Sequence, residues 1–372
     1  MLPLTGIRLL DLTRHLPGPY ATDLLRRLGA EVIKIEPPAG DPTRWLPPMV
    51  DGTGALYALV NAGKKSVVID LKEPSGRDLL QRIAATCDVV VESYRPGVSR
   101  SMGFDYETLR GVREDIVYCS ISGYGSEMPR SAHDLNFVAL AGLLDLQRDE
   151  EGRPVLPSTQ IGDMGGALFG ALSILAALFE RQRTGAGRRI DISMADATRA
   201  MMPTAESLYR GTHQSPEMFL LTGASPRYNI YRTRDGKYIA AAPLEPQFWR
   251  EFCRVIGRPD LAEWSFATGS SKELEAAVAA AIAGRTRAEW EALFADVDAC
   301  VEPVLTIEEA HSRFGDPMLG HPLQKNFGAA IGGVVALGGS LQEVVESLGL
   351  STDELTSDAE SGARERKPYT RS

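Results

Sequence analysis

Apolar and polar positions along the first part of the chain follow two rhythms that take turns. Ile7–Leu12 (IRLLDL) is an apolar run of strand length. After the punctuation of Pro17-Gly18-Pro19, Tyr20–Leu28 repeats apolar residues at helical spacing. Glu31–Glu36 (EVIKIE) then alternates with a period of two. The same order returns in Ser66–Leu71, a helix from Pro74 to Ala85, the run Asp88–Glu92 (DVVVE) and Ile116–Ser122 (IVYCSIS). Strands and helices alternating at this spacing predict parallel strands joined by crossover helices, hence an α/β fold with a doubly wound parallel sheet.

The middle of the chain is more helical. Asn136–Leu146 repeats apolar residues on one face, and Gly165–Gln182 reads as a long helix that is apolar almost all round. Such a helix is expected in a domain or subunit core. Arg188–Ser193 (RRIDIS) alternates as one more strand, with a helix from Met194. Between about Pro203 and Ser225 the helical signal fades. Beyond it, Tyr228–Tyr231, Asp235-Gly236 and Tyr238–Ala242 predict a hairpin with an Asp-Gly turn, and helices follow at Glu245–Ile256 and Ser271–Ala283. This stretch has the pattern of a smaller α+β domain.

Composition narrows the class. With 372 residues the chain exceeds the roughly 250–300 at which a single core stops growing, so two domains are expected. Hydrophobic residues at 44% leave ample material for a core, and the polar tail Ser351–Ser372 is the one stretch whose composition suggests disorder. A net charge of −9 argues against nucleic acid as partner, since a phosphate backbone needs a concentrated basic face. Cys87, Cys119, Cys253 and Cys300 have no metal-ligand or disulfide spacing. The N-terminus lacks the features of a signal peptide. The apolar region Ala167–Phe179 is too short to span a bilayer, so a cytoplasmic protein with no membrane contact is expected.

Few residues suggest chemistry on their own. Of five histidines, only His133 has a carboxylate beside it and a helix start after it, with Asp134 as the expected cap of that helix. Asp163 lies among Gly162, Gly165 and Gly166 at the mouth of the long apolar helix. Glycines there would let a ligand approach the backbone, and free N–H groups could hold an oxyanion. Asn61-Ala62-Gly63-Lys64-Lys65 could grip phosphates. No GxxxxGK[ST] or GxGxxG run accompanies it, which lowers ATP, GTP and NAD as ligands. Tyr94-Arg95-Pro96-Gly97 follows a strand, where open α/β sheets bind ligands. Taken singly, each of these is equally a surface histidine, a helix cap or a solvated turn.

Taken in order, longer runs are more specific. GIRLLDL…PGPYATDLLRRLGAEVIKIE, NAGKKSVVIDLK, DVVVESYRPG, HDLNFVALAG, GDMGGALFGALSILAALFERQRTGAGRRIDISMAD and DACVEPVLTIEEA stand in one sequence from residue 3 to about 310. Together they resemble the family III CoA-transferase and α-methylacyl-CoA racemase superfamily. The resemblance implies that an acyl-CoA substrate is bound on the large domain, with Leu16, Lys64, Lys65, Asp70, Lys72, Tyr94, Arg95, Gly97 and Gly165 as the CoA-binding positions. It implies no metal and no permanently bound cofactor, coenzyme A entering as part of the substrate. The large domain would comprise 1–205 and 316–372, the linker 206–224 and the small domain 225–315, in an interlocked homodimer.

The resemblance also places an aspartate at Asp163 in both branches. In transferases it is a nucleophile that forms an acyl anhydride and then an enzyme–CoA thioester. In racemases it is one of two proton carriers, the other being a histidine. The run Ala132-His133-Asp134-Leu135-Asn136 is similar to the racemase branch, as is Pro243-Leu244-Glu245-Pro246, whose Glu245 would support the histidine. A transferase-type glycine-rich flap is missing from 213–245. The expectation is therefore a racemase acting on 2-methylacyl-CoA by proton transfer through an enolate, with His133 and Asp163 as the two acid/bases. A CoA-transferase with Asp163 as nucleophile is the alternative, and a CoA-binding protein without turnover is a third. Three departures stand out: Pro37 where relatives commonly have arginine, Gly223-Ala224-Ser225-Pro226 in place of a GGAP-type run, and Gly338-Gly339-Ser340 near the usual C-terminal motif. Met201, Met202, Met218, Phe219, Leu220 and Leu221 could offer an adaptable apolar surface to an acyl chain.

Overall fold

The structure, a computed structural model, describes residues 1–149, 151–213, 220–264, 271–317, 320–328 and 332–347. The tail Ser351–Ser372 and the pair Met218 and Phe219 lie outside the described residues. The chain divides into two compact units, Met1–Pro203 with Pro317–Ser372, and Thr204–Asp316.

The first unit carries the strands β1 (Arg8–Leu12), β2 (Glu31–Glu36), the short pair β3 (Met49–Val50) and β4 (Thr53–Gly54), β5 (Lys65–Val68), β6 (Val89–Glu92), β7 (Val117–Ser122) and β8 (Arg188–Ser193). Between them lie the helices α1 (Pro17–Arg27), α2 (Ala55–Asn61), α3 (Pro74–Ala85), α4 (Val98–Ser101), α5 (Tyr106–Val112), α6 (Asp134–Leu140), α7 (Ile161–Thr184) and α8 (Met194–Ala200). Six strands form one parallel sheet in the order β5-β2-β1-β6-β7-β8. The chain builds outward from β1 to β5 on one side, then returns to lay β6 on the other side of β1. The crevice between the carboxyl ends of β1 and β6 is therefore the topological switch point, where such sheets bind ligands.

Both faces of the sheet are covered, which is why its strands read as near-continuous apolar runs. Leu9, Val89, Val91 and Val117 pack with Leu25 of α1 and with Ala167, Ala171 and Ile174 of α7. Leu10, Ile33 and Val90 pack on the other face with Leu80 and Ile83 of α3 and Leu109 of α5. Val344 of the helix Leu341–Ser347 joins this second core, so the C-terminal segment belongs to the first unit.

Helix α1 begins at Pro17, so Pro17-Gly18-Pro19 is its first turn and not an interruption before it. Proline in a first helical turn gives up an N–H that has no intrahelical partner anyway. Gly18 is needed there because a Cβ would lie 2.3 Å from Thr13 Cβ.

The long apolar helix α7 has 24 residues and is the one helix, among the described residues, long and apolar enough by length and composition to cross a membrane. It extends beyond the expected apolar stretch at both ends. Its Ala167–Ala171–Ile174–Leu178 side is sealed into the core, as in a core helix, while Leu168, Leu172 and Phe179 are exposed within one chain.

In the second unit, β9 (Asn229–Arg232), β10 (Tyr238–Ala241) and β11 (Val301–Pro303) form an antiparallel sheet in the order β11-β10-β9. The Asp235-Gly236 turn joins β9 to β10, with Gly236 at a φ of 77° that suits glycine. The stretch expected as a linker, 206–224, groups with this unit, and helix α9 (Pro203–Thr212) runs into it. Pro203 opens that helix where the sequence pattern suggested a break. Helices α10 (Pro246–Val255), α11 (Ser271–Ile282) and α12 (Arg287–Phe294) close a separate core around Trp249, Phe252, Trp290 and Phe294.

Candidate active site

Three loops at the carboxyl edge of the sheet, together with the first turn of α7, surround the switch-point crevice. The loop after β1 contributes Arg14 and His15, the loop after β6 contributes Ser93, Tyr94 and Arg95, and the loop after β7 contributes Arg130 and His133. With Asp163 they line a cavity of about 570 Å³, a size suited to a small-molecule site. His133 and Asp163, 30 positions apart in the sequence, thus face one cavity, and Tyr94 and Arg95 line it with them.

The first two loops are tied together. The Arg14 N–H donates to Ser93 Oγ at 3.1 Å, and the Arg14 guanidinium lies over the Tyr94 ring at 4.4 Å. Glu92 Oε2 accepts the Tyr94 N–H at 2.7 Å. Burial pushes the Glu92 carboxyl up to about 7, so it holds a proton well above the usual carboxylate range.

Asp163 stands in the first turn of α7. Burial pushes its carboxyl up to about 7, and the negative charge of Asp134 adds to the rise. A group that titrates near neutrality can serve as an acid or base, or be ionised for attack, at little cost. Asp134 itself corrects an expectation. Helix α6 starts one residue earlier than expected, with His133 as its N-cap, and Asn136 Oδ1 accepts the His133 N–H at 3.0 Å. Asp134 is therefore inside α6, and its Oδ1 accepts the backbone N–H of Asp163 at 3.0 Å. It caps α7 and not its own helix, joining the segment that carries the His133 imidazole to the first turn of α7 that carries Asp163.

Close packing of three helices explains the glycines. A Cβ on Gly162 would lie 3.0 Å from Phe137 Cβ and 3.1 Å from Asp134 Oδ1. On Gly165 it would lie 2.6 Å from Met201 Cε, and on Gly166 2.6 Å from Met194 Cγ. Gly165 corrects a second expectation. It is buried against the residues at and after α8, and its N–H lies past the first four amides that a helix leaves unpaired. Its N–H is therefore not among those the helix start leaves free for an oxyanion.

Lys64 is a third correction. Its Nζ donates within the protein to Asp11 Oδ2 (3.0 Å), Pro19 O (2.8 Å), Thr22 Oγ1 (2.7 Å) and Asn61 Oδ1 (2.9 Å). Three protons facing four acceptors leave nothing for a phosphate. Burial alone would raise the Asp11 carboxyl, but Lys64 and Lys34 outweigh it and hold Asp11 well below the usual range. Lys65 is paired with Glu31 and Glu343 at the edge of the sheet.

The remaining expected CoA contacts are spread around the edge. Leu16 is the half-buried N-cap of α1, between His15 and Pro17, which line the cavity. Asp70 and Lys72 form a turn beyond β5, where the Lys72 N–H donates to Asp70 Oδ1 at 3.0 Å. Gly97 precedes α4 with a φ of 89°. Glu245 is the exposed N-cap of α10 in the second unit and makes no side-chain cap to that helix.

Arg14, His15 and Arg130 were not foreseen. His15 has a φ of 68°, uncommon for a residue with a Cβ and a feature that concentrates at functional sites. Burial lowers its imidazole below the usual value. For Arg14 and His15 the available signal was their position two and three residues past the carboxyl end of β1; Arg130, eight residues past β7, carried no such signal.

A profile of CoA-transferase family III matches residues 4–317. The chain belongs to this family. Among family III relatives, the succinyl-CoA:glutarate CoA-transferase of Mus musculus is 35% identical over 84% of this chain and 74% of its own length. The alpha-methylacyl-CoA racemase of Homo sapiens is 32% identical over 82% of this chain and 78% of its own. A CAIB/BAIF family protein from Brucella suis superposes with a TM-score of 0.81 at 26% identity, covering 93% of this chain and 99% of that one. Both transferases and racemases are thus relatives of this family III enzyme. The choice of racemase drawn from His133 is not carried by them, since the transferase shares more residues with this chain than the racemase does.

Proposed function

We propose that this family III enzyme moves CoA between carboxylic acids, with Asp163 as the carboxylate that carries first the acyl group and then CoA. The observation that supports it is Asp163 itself, lining the switch-point cavity with a carboxyl that ionises near neutrality. Ionised Asp163 attacks the thioester carbonyl, the C–S bond breaks, and CoA leaves as thiolate from an acyl–aspartyl anhydride. The thiolate then attacks the Asp163 carbonyl, releases the donor carboxylate and leaves an Asp163–CoA thioester. An acceptor carboxylate reverses the two steps and departs as the new thioester. Tyr94 and Arg95 hold the CoA end, and the protein works as a homodimer. The exposed Leu168, Leu172 and Phe179 on α7 support that assembly.

His133 favours a second reading. An imidazole on the same cavity as Asp163 suits proton exchange α to a thioester, His133 removing the proton and Asp163 returning it to the other face. The two readings part in one assay. Enzyme in deuterium oxide is given a chiral 2-methylacyl-CoA, with and without a carboxylic acid acceptor, and followed by NMR. New thioester formed only with acceptor, and no deuterium at the α-carbon, is the expected outcome. Deuterium uptake without acceptor would replace transfer by racemisation.

A further inference from the structure

His15 lines the cavity with Asp163 and His133 but has no part in the steps above. Among the described lining residues it is the one with a positive φ, 68°. Both of its flanks are fixed. On one side the Thr13 carbonyl accepts from Lys34 Nζ at 2.9 Å, and the Arg14 N–H donates to Ser93 Oγ at 3.1 Å. On the other, α1 begins at Pro17, and the Tyr20 N–H donates to the Leu16 carbonyl at 2.9 Å. A strained residue pinned on both sides keeps its side chain aimed one way, and such strain gathers at functional sites. Burial lowers the imidazole below its usual value. The charge of Asp41 opposes that fall, while Arg14, His133 and Lys34 add to it. The ring is therefore neutral near pH 7, with one N–H to donate and one nitrogen to accept.

We infer that His15 donates a hydrogen bond to the sulfur of CoA and holds the thiolate in place between its release from the acyl group and its attack on Asp163. The inference rests on the transfer reading of Asp163 given above. In that reading the electron pair of the C–S bond leaves with sulfur, and the same sulfur must return to the Asp163 carbonyl. A thiol ionises at about 8.5 in water, so an imidazolium beside the thiolate would hand over its proton and quench the nucleophile. A neutral ring shares its N–H without giving the proton up, which stabilises the charge on sulfur and leaves a lone pair free to attack. No proton changes hands. The sulfur pair forms the new C–S bond as the donor carboxylate departs. Position separates the two imidazoles. His133 opens α6 and belongs to the segment that Asp134 ties to Asp163. His15 stands on the loop tied to that of Tyr94 and Arg95, the residues at the CoA end.

Ultraviolet titration of CoA bound to the full chain reads the ionisation of its thiol without requiring turnover. Enzyme saturated with desulfo-CoA is the blank that removes the protein's own thiols and tyrosines. Wild type, His15→Gly and His15→Asn are compared. Glycine and asparagine both accept a φ of 68°, so the backbone is kept, and asparagine retains an N–H donor that glycine lacks. In the wild type the bound thiol is expected to ionise about one pH unit or more below free CoA. In His15→Gly it should return to within about half a unit of free CoA, with His15→Asn in between. Desulfo-CoA should bind all three within about twofold. A bound thiol that ionises no lower than free CoA, or equally low in wild type and His15→Gly, would overturn the inference. Acceptor-dependent transfer is followed beside it. A thiol that depends on His15 in an enzyme passing CoA to no acid sinks the transfer reading and keeps the sulfur contact. Transfer at undiminished kcat by His15→Gly keeps the transfer reading and overturns the role of His15.

Discussion

Asp163→Asn should stabilise the protein while abolishing its chemistry, and the size of the effect follows from the burial of the carboxyl. In the folded chain the group holds its proton up to about 7, against an ordinary 3.8. A carboxyl whose value is raised on folding costs stability as pH rises, because the unfolded chain releases the proton first. The cost is absent below 3.8, grows between 3.8 and about 7, and is constant above that. At about 1.4 kcal/mol per tenfold change in proton affinity, the ceiling is about 1.5 kcal/mol at pH 5 and about 4 kcal/mol at pH 8. The part of Asp163 open to water scales these figures down and leaves their order unchanged. Urea unfolding of wild type and Asp163→Asn at pH 5 and pH 8 reads the difference directly. An advantage for the variant that widens toward pH 8 is expected. A variant less stable at pH 8, or an advantage independent of pH, would refute the idea that burial and Asp134 strain this carboxylate.

Two further variants probe the neighbours of that group. Asp134→Asn keeps the oxygen that accepts the Asp163 N–H but removes the charge that helps raise Asp163, so the acid limb of the activity profile should move about half a pH unit or more to lower pH. An unmoved limb would leave burial as the whole cause. Lys64→Met leaves Asp11 buried without its partner and should cost about 3–5 kcal/mol in urea unfolding. Full stability combined with loss of CoA affinity would restore the phosphate-binding role that the structure takes from Lys64.

Most of the architecture could be read from hydrophobic rhythm. Glu31–Glu36 and Arg188–Ser193 are strands over the expected residues, and Pro74–Ala85 is the expected helix, because buried parallel strands and crossover helices impose strong, distinct periods. Prolines were misread at Pro17 and Pro203, since a residue that breaks a helix interior is also a favoured helix opener. Burial partners were the second blind spot. Nothing in Asn61–Lys65 announces that Lys64 will meet Asp11, 53 residues earlier, so a structural cation looked like a phosphate grip. The glycines around Asp163 misled for the same reason, because the helices that occupy their vacant sides lie elsewhere in the chain. Conversely, Arg14, His15 and Arg130 gain meaning only when β1, β6 and β7 are laid side by side, which a linear reading does not do.

The most direct test of the account is to catch Asp163 in the act. Enzyme incubated with succinyl-CoA is quenched with hydroxylamine and its peptides are mapped by mass spectrometry. A covalently trapped anhydride or thioester should appear as a hydroxamate on the peptide holding Asp163, and be absent from Asp163→Asn and from enzyme given free CoA. An unlabelled Asp163 in enzyme that is moving CoA at its full rate would contradict the central claim.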